Sequence, residues 1–321
     1  MTGGSAHHRR GIAFCAASAC GFGAMAVFAK EAYATGVTVV TLLAVRFVLA
    51  ALAFWAIAAV RGARLPSRRT IVSGLLLGAV LYAAQGGLYF GALTRIDASL
   101  DSLLVYIYPI LVFGAALAMG RERLSARRLG ALALASAGTA LVLFGGSLGA
   151  VDGLGVAMAL GCAVIYAAYI LLSDRLVGDA DPFVLAALIT TGAAATMLVA
   201  GAGSGSLHFG FALSGWLWIA ALAWGSTVLG ISAFFLGMRE VGPGTASIVS
   251  TVEPAVTVGL ATTIYGEALG SSQLAGGVLV LGAVVILQLR AGRTAGSVDR
   301  DAAADLATAV TPARALAHEP A

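Results

Sequence analysis

The sequence predicts an all-α integral membrane protein: ten transmembrane helices arranged as two inverted five-helix repeats. Three observations carry this prediction. The chain is 60% hydrophobic and 11% charged over 321 residues, where a soluble chain carries about 25% charged residues. A window of about 20 residues, the length needed to cross a hydrocarbon core about 30 Å thick, finds ten apolar stretches. A gapless shift that carries residue 109 onto residue 254, 254 − 109 = 145, superposes two segments containing proline and glutamate.

The apolar stretches lie near 11–29, 38–60, 71–93, 98–119, 127–145, 153–173, 182–201, 213–237, 244–264 and 271–289. The 42 glycines suit helices that pack closely in lipid, as do the Gly74–Gly78 and Gly87–Gly91 spacings of the third stretch. The start, "MTGGSAHHRRG", is polar and basic, but the apolar segment after it has full spanning length. It reads as a first helix rather than a cleavable signal. Residues 1–10 are then a cytoplasmic tail, 11–148 the first repeat and 149–290 the second. Residues 291–321 are polar and Ala-rich, without a face to bury, and read as a disordered cytoplasmic tail. Cys15, Cys20 and Cys162 all lie in apolar stretches and read as buried structural thiols.

Arginine placement fixes the expected orientation. With a cytoplasmic N-terminus, Arg9, Arg10, Arg61, Arg64, Arg68, Arg69, Arg121, Arg123, Arg127, Arg128, Arg175 and Arg239 fall on the cytoplasmic side, joined by the arginines beyond residue 289. Lys30 and Arg95 are left outside, and Arg46 lies within a span. Both termini are expected in the cytoplasm of a cell that carries the chain as a multi-pass protein of its plasma membrane.

"LDSLLVYIYPILVFGAALAMGRERL" (100–124) and "TASIVSTVEPAVTVGLATTIYGEAL" (245–269) align without gaps. The shift superposes Ser102 on Ser247, Pro109 on Pro254, Glu122 on Glu267 and Leu124 on Leu269. It spans five apolar stretches, an odd number, so the two halves must cross the membrane in opposite senses. Such inverted repeats place a site near the midplane between the halves.

The segments "PILVFGAALAMGRERL" and "EPAVTVGLATTIYGEAL", with the arginine of "LAVRFVLAAL", resemble the EamA-type family of the drug/metabolite transporter superfamily. The resemblance covers about residues 11–290. It departs from the family pattern where an arginine, Arg121, stands between Gly120 and Glu122, and where the second copy lacks the arginine after Glu267. What it implies is a ten-helix secondary transporter of small metabolites, often amino acids and often working outward. It also implies that the first, third and fourth helices and their repeat mates line a central cavity.

Glu253 is the first candidate site residue. It lies about 12 Å along a helix entering near Thr245, at about 1.5 Å rise per residue, and so close to the bilayer centre. A central charge costs roughly 2.5–3.5 kcal/mol to insert. A role in binding a substrate amine or carrying a proton offsets that cost, as does a structural one in holding helices together. Pro109 and Pro254 are expected to break their helices, Pro254 freeing a carbonyl near residue 250, Ser250. Tyr108 occupies the position equivalent to Glu253 and could donate to a substrate carboxylate or to Glu253 itself, packing by its ring being the competing role. Arg46 is expected to pair with Asp101 or with helix-end carbonyls, direct substrate contact being the competing role, and Asp101 to act as a gate or rim residue within reach of outside water. Tyr82, Gln85 and Tyr89 share a helical face. Tyr166 and Tyr169 of the sixth stretch, and Trp224 with Ser226 and Thr227 of the eighth, complete an aromatic cavity with few charges. Trp216 and Trp218 read as an interfacial belt.

Other functions fit less well. The single lysine, in "AVFAKEA", belongs to no nucleotide-binding loop, so the chain carries no ATP-driven motor. His7, His8, His208 and His318 all lie outside the apolar stretches, which leaves no metal centre and weakens an intramembrane enzyme. An exchanger of phosphorylated or nucleotide-linked sugars would share the architecture but calls for more buried cations than Arg46. The expected partners are a small-molecule substrate, protons and the lipid bilayer, with no nucleic acid and no cofactor.

Overall fold

A computed structural model describes residues 3–120, 130, 133–138, 140–141, 152–176, 180–267 and 269–286. The expected helix at 127–145 is described only in part, helical at 130, 133–138 and 140–141. The tail at 291–321 lies outside the described residues. All described regular structure is helical, and seven helices are long and apolar enough to cross a membrane. In chain order they are α1 (His7–Ala34), α2 (Val39–Val60), α3 (Arg68–Ala92), α4 (Ala98–Ala118), α5 (Gly153–Ser173), α6 (Pro182–Ser204) and α7 (Leu213–Gly242). After a kink at Gly242 the chain is helical again over 243–250 and Glu253–Tyr265, together α8, and then over Ser271–Ile286, α9.

The first span begins earlier than the sequence suggests. Helix runs from Gly3, so the expected N-terminal tail is largely an extension of α1. At its other end α1 continues to Ala34 and carries Lys30 within it rather than in a loop.

Two kinds of irregularity recur at the repeat shift. Wide π-helical turns occupy Leu77–Tyr82 in α3 and Ala221–Leu229 in α7. Moving the first by 145 residues lands it on 222–227, inside the second. Helix α4 is interrupted by a turn at Tyr106 and Ile107, and α8 by a turn at Thr251 and Val252, the same positions one shift apart. Each interruption directly precedes the helix that Pro109 or Pro254 opens. A proline at the second position of a helical segment has no N–H to offer the preceding turn, so the ladder breaks just before it, while the segment it opens forfeits no bond of its own.

Packing follows the same exchange. Helix α1 packs on α7, and their repeat mates α5 and α3 pack on each other. Helix α2 packs on its own mate α6. The α3–α6 crossing depends on two glycines. A Cβ on Gly78 would fall on the carbonyl of Ile189, and one on Gly192 on the carbonyl of Leu75. Only the absence of a side chain lets these backbones approach so closely. The largest buried cluster centres on Leu42, Leu43, Phe47, Phe90 and Leu104, joining α2, α3 and α4.

Candidate functional site

Between the two repeats lies a cavity of about 400 Å³. Side chains reach it from α1 to α8: Phe22 and Met25 from α1, Arg46 and Phe47 from α2, and Tyr82, Gln85, Tyr89 and Phe90 from α3. Tyr106 and Tyr108 come from α4, Tyr166 and Tyr169 from α5, Thr190 from α6, and Phe234 and Phe235 from α7. Ser250 and Glu253 come from the two parts of α8. Nine of the residues singled out from the sequence therefore converge: Glu253, Tyr108, Gln85, Tyr82, Tyr89, Arg46, Tyr166, Tyr169 and Ser250.

The broken helices build the centre. Because Pro254 has no N–H, the carbonyl of Ser250 loses its intrahelical donor. The Tyr106 hydroxyl donates to that carbonyl at 2.6 Å. The freed backbone acceptor of one repeat is thus closed by a side chain of the other, and the two interruptions are tied together. The Glu253 carboxylate lies next to this tie. Among the described residues no hydrogen-bond donor and no cation is paired with it.

Aromatic rings form the wall around the acid. Tyr108 lies 4.4 Å from Tyr166 between ring centroids and 5.6 Å from Tyr106. Tyr166 stacks on Tyr169, which in turn meets Tyr82 at 5.8 Å. Rings carry negative faces that attract a cation within about 6 Å, and this attraction grows when water is excluded. A cation entering here meets ring faces and one carboxylate together. The described hydrogen bonds include none between Tyr108 and Glu253.

Arg46 is held rather than free. Its Nε donates to Thr227 Oγ1 at 2.8 Å, its Nη2 approaches Met25 Sδ at 3.3 Å, and its guanidinium lies over Phe90 and Phe47. Thr227 belongs to the π-helical turn of α7 and also donates to the Leu222 carbonyl, so that turn positions the hydroxyl that holds the arginine. The expected pairing of Arg46 with Asp101 is not formed.

Three expectations are corrected. Trp224 is 49% exposed on the outer surface of α7 and does not line the cavity. The inward side of this wide turn is taken by Leu222, Ala223, Ser226, Thr227 and Val228 instead. Asp101 is fully buried rather than at a wet rim, because the segment after α8 covers the start of α4. Cys20 is exposed, while Cys15 and Cys162 are buried.

A second polar cluster covers that start of α4. Glu267 accepts from the Ala98 N–H at 3.1 Å, from the Ser99 N–H at 3.0 Å, from the Ser99 hydroxyl at 2.8 Å and from Lys30 Nζ at 2.7 Å. Gly266 makes this possible: at φ +67° it reverses the chain after Tyr265 and aims the next side chain back at α4. Although burial opposes it, Lys30 and the donors of Ser99 and Ala98 hold the Glu267 carboxyl below its ordinary range.

The EamA-like transporter family model matches residues 9–144 and 153–289, one match per repeat. The chain belongs to the EamA family. The transporter YcbK of Bacillus subtilis, itself described as uncharacterized, is 26% identical over 79% of this chain and 85% of its own length. An uncharacterized transporter of Archaeoglobus fulgidus is 30% identical over 62% of this chain and 70% of its own. The inner membrane transporter YedA of Escherichia coli is 26% identical over 75% and 79%. A solved crystal structure shares the fold with a TM-score of 0.57 at 22% identity, over 87% of this chain and 98% of the other. The protein is a multi-pass membrane transporter of the drug/metabolite type.

Proposed function

We propose that the protein is a secondary transporter, working as an exporter, that moves small amine-bearing metabolites such as amino acids across the plasma membrane by alternating access around the Glu253 cavity. The observation that carries the reading is the position of Glu253: the cavity's one carboxylate, without a protein partner among the described residues, facing rings from both repeats. A protonated amine supplies what the acid lacks. A phosphorylated substrate is disfavoured, since Arg46 is already engaged by Thr227.

We read the full architecture as ten helices in two inverted repeats, 11–148 and 149–290, with both termini cytoplasmic. Contacts between ends of elements support the inversion. Arg10, near the start of the first repeat, approaches Glu240 at 3.9 Å. Asp152, at the start of the second, pairs at 3.0 Å with Arg95, beside the α4 end that Glu267 and Lys30 share. The two repeats then begin on opposite faces, as an odd number of spans requires.

The test is uptake of radiolabelled amino acids and related metabolites into proteoliposomes, comparing the natural protein with Glu253→Gln. Saturable transport of an amine-bearing compound that the variant loses is the expected outcome. Transport of sugar phosphates alone, or unchanged amine transport in the variant, overturns the reading.

A further inference from the structure

Asp101 is the other acid within the described spans that lacks a partner. It is 0% exposed, and neither carboxylate oxygen meets a hydrogen-bond donor among the described residues. Its counterpart in the second repeat is Ala246, also buried, so the fold does not require a polar group at this position. An ionised carboxylate without donor or counter-ion does not persist in such a place.

We propose that Asp101 is a proton-binding site, separate from the Glu253 cavity, whose ionisation releases the Lys30–Glu267 contact that joins α1 to the segment after α8, and so opens that end of the protein. Lys30 is the switch between two acids. Here its ammonium is bound to Glu267 at 2.7 Å. Glu267 keeps three further donors, from Ala98 and Ser99, and so tolerates losing the lysine. Asp101 has none to fall back on. When the Asp101 carboxylic acid gives its proton to water, the resulting carboxylate draws Lys30 off Glu267. The cluster's charge then passes from zero (Lys30 positive, Glu267 negative, Asp101 neutral) to minus one, balanced by the released proton.

The ionisable groups close enough to act on Asp101 or on its neighbours are Lys30 and Tyr33 of α1, Tyr89 of α3 and Cys162 of α5, with Glu267 beyond Lys30. Arg46 of α2 acts on Tyr33 and Tyr89, and Glu253 of α8 acts on Tyr89. Of these, Lys30 is the cation without a role in the cavity, and Tyr33 is tied to the Phe90 carbonyl at 2.9 Å. A sodium ion fits less well, since no described oxygen is paired with the carboxylate to begin a coordination shell. The sidedness of this contact rests on the topology proposed above, but the proton site does not depend on any substrate.

The experiment therefore uses protons alone. Infrared difference spectra of the full protein in lipid vesicles, titrated in pH, should show a buried carboxylic-acid C=O band that Asp101→Asn removes and Glu253→Gln retains. In a Cys15→Ala, Cys20→Ala background, a membrane-impermeant maleimide added from the Lys30 side reports opening at Cys162. Its labelling rate should rise about tenfold as Asp101 ionises, a change of about 1.4 kcal/mol in the opening equilibrium. Asp101→Asn should stay at the slow rate at every pH, and Asp101→Glu should restore the pH dependence at a shifted midpoint. If Asp101→Asn does not fold, the natural protein's titration and Asp101→Glu decide. Retention of the C=O band in Asp101→Asn, a rate that follows sodium rather than pH, or a rate indifferent to both overturns the proposal. A protein that transports no amine yet passes these tests would overturn the substrate reading alone.

Discussion

Glu253 and Glu267 lie at opposite ends of one helical segment of α8, and the chain treats them in opposite ways. Glu267 accepts from two backbone N–H groups, a hydroxyl and an ammonium. Glu253 faces an aromatic cavity with no described partner. Burial costs both acids solvation. At Glu267 the structure itself returns that cost, so the acid holds α1, α4 and α8 together. At Glu253 nothing in the described protein does, and the compensation must come from something that enters. The difference separates a carboxylate that builds the fold from one that works in it.

The strongest way to break this comparison is to neutralise each acid in turn. Glu253→Gln should reduce transport of an amine-bearing substrate by about 10- to 100-fold, the worth of a charge-assisted hydrogen bond of about 1.5–3 kcal/mol. Its melting temperature in detergent should hold or rise, because an uncompensated acid has been removed. Glu267→Gln should do the reverse. It leaves Lys30 without its counter-charge and weakens the start of α4, a loss of about 2–4 kcal/mol from breaking a largely buried pair. Thermal unfolding in detergent checks it, and an unchanged melting temperature would remove the structural role assigned to Glu267.

A sharper form of the comparison concerns the tie between the interruptions. Tyr106→Phe keeps the ring beside Tyr108 and deletes the donor to the Ser250 carbonyl. Removing one partner of a buried hydrogen bond costs about 1–3 kcal/mol. The tie sits at the cavity, so transport should fall together with stability. Substrate affinity unchanged alongside lower stability would place the tie outside the site.

Much of this was legible in the sequence because hydrophobicity and proline act locally. Spans at 153–173 and 38–60 match Gly153–Ser173 and Val39–Val60 closely, since lipid selects apolar length directly. Pro254 announced the carbonyl it leaves open, though not that Tyr106 closes it. The π-helical turns left little sign: Leu77–Tyr82 and Ala221–Leu229 each hold one glycine, Gly78 and Gly225, and glycine is too common in this chain to mark a change of turn type. Asp101 was misplaced for a reason of sequence distance. One residue near a helix start cannot reveal that a segment 166 positions later (267 − 101) folds over it. Phe234 and Phe235 were missed as lining because phenylalanine in a membrane span carries no polar signal.

The smallest expected effect concerns a third acid, outside the spans. Asp152 accepts from the Leu154 and Gly155 N–H groups at 2.8 and 3.0 Å, capping α5, and pairs with Arg95 at 3.0 Å. The Gly155 N–H and the Arg95 guanidinium hold its carboxyl below its ordinary range, against slight desolvation. A depressed value means that the stabilisation is present at neutral pH and is lost as pH falls through the folded-state value. The window therefore lies below about pH 4, where aspartate ordinarily titrates. The pair is open to solvent, so its contribution is small and screened by salt. Asp152→Asn keeps an oxygen to cap α5 while removing the charge. It should lower the melting temperature only slightly at pH 7 and low salt, by an amount that shrinks as pH falls below about 4. A large loss at pH 7 that high salt leaves untouched would mean that Asp152, like Glu267, is a joint of the fold rather than a surface cap.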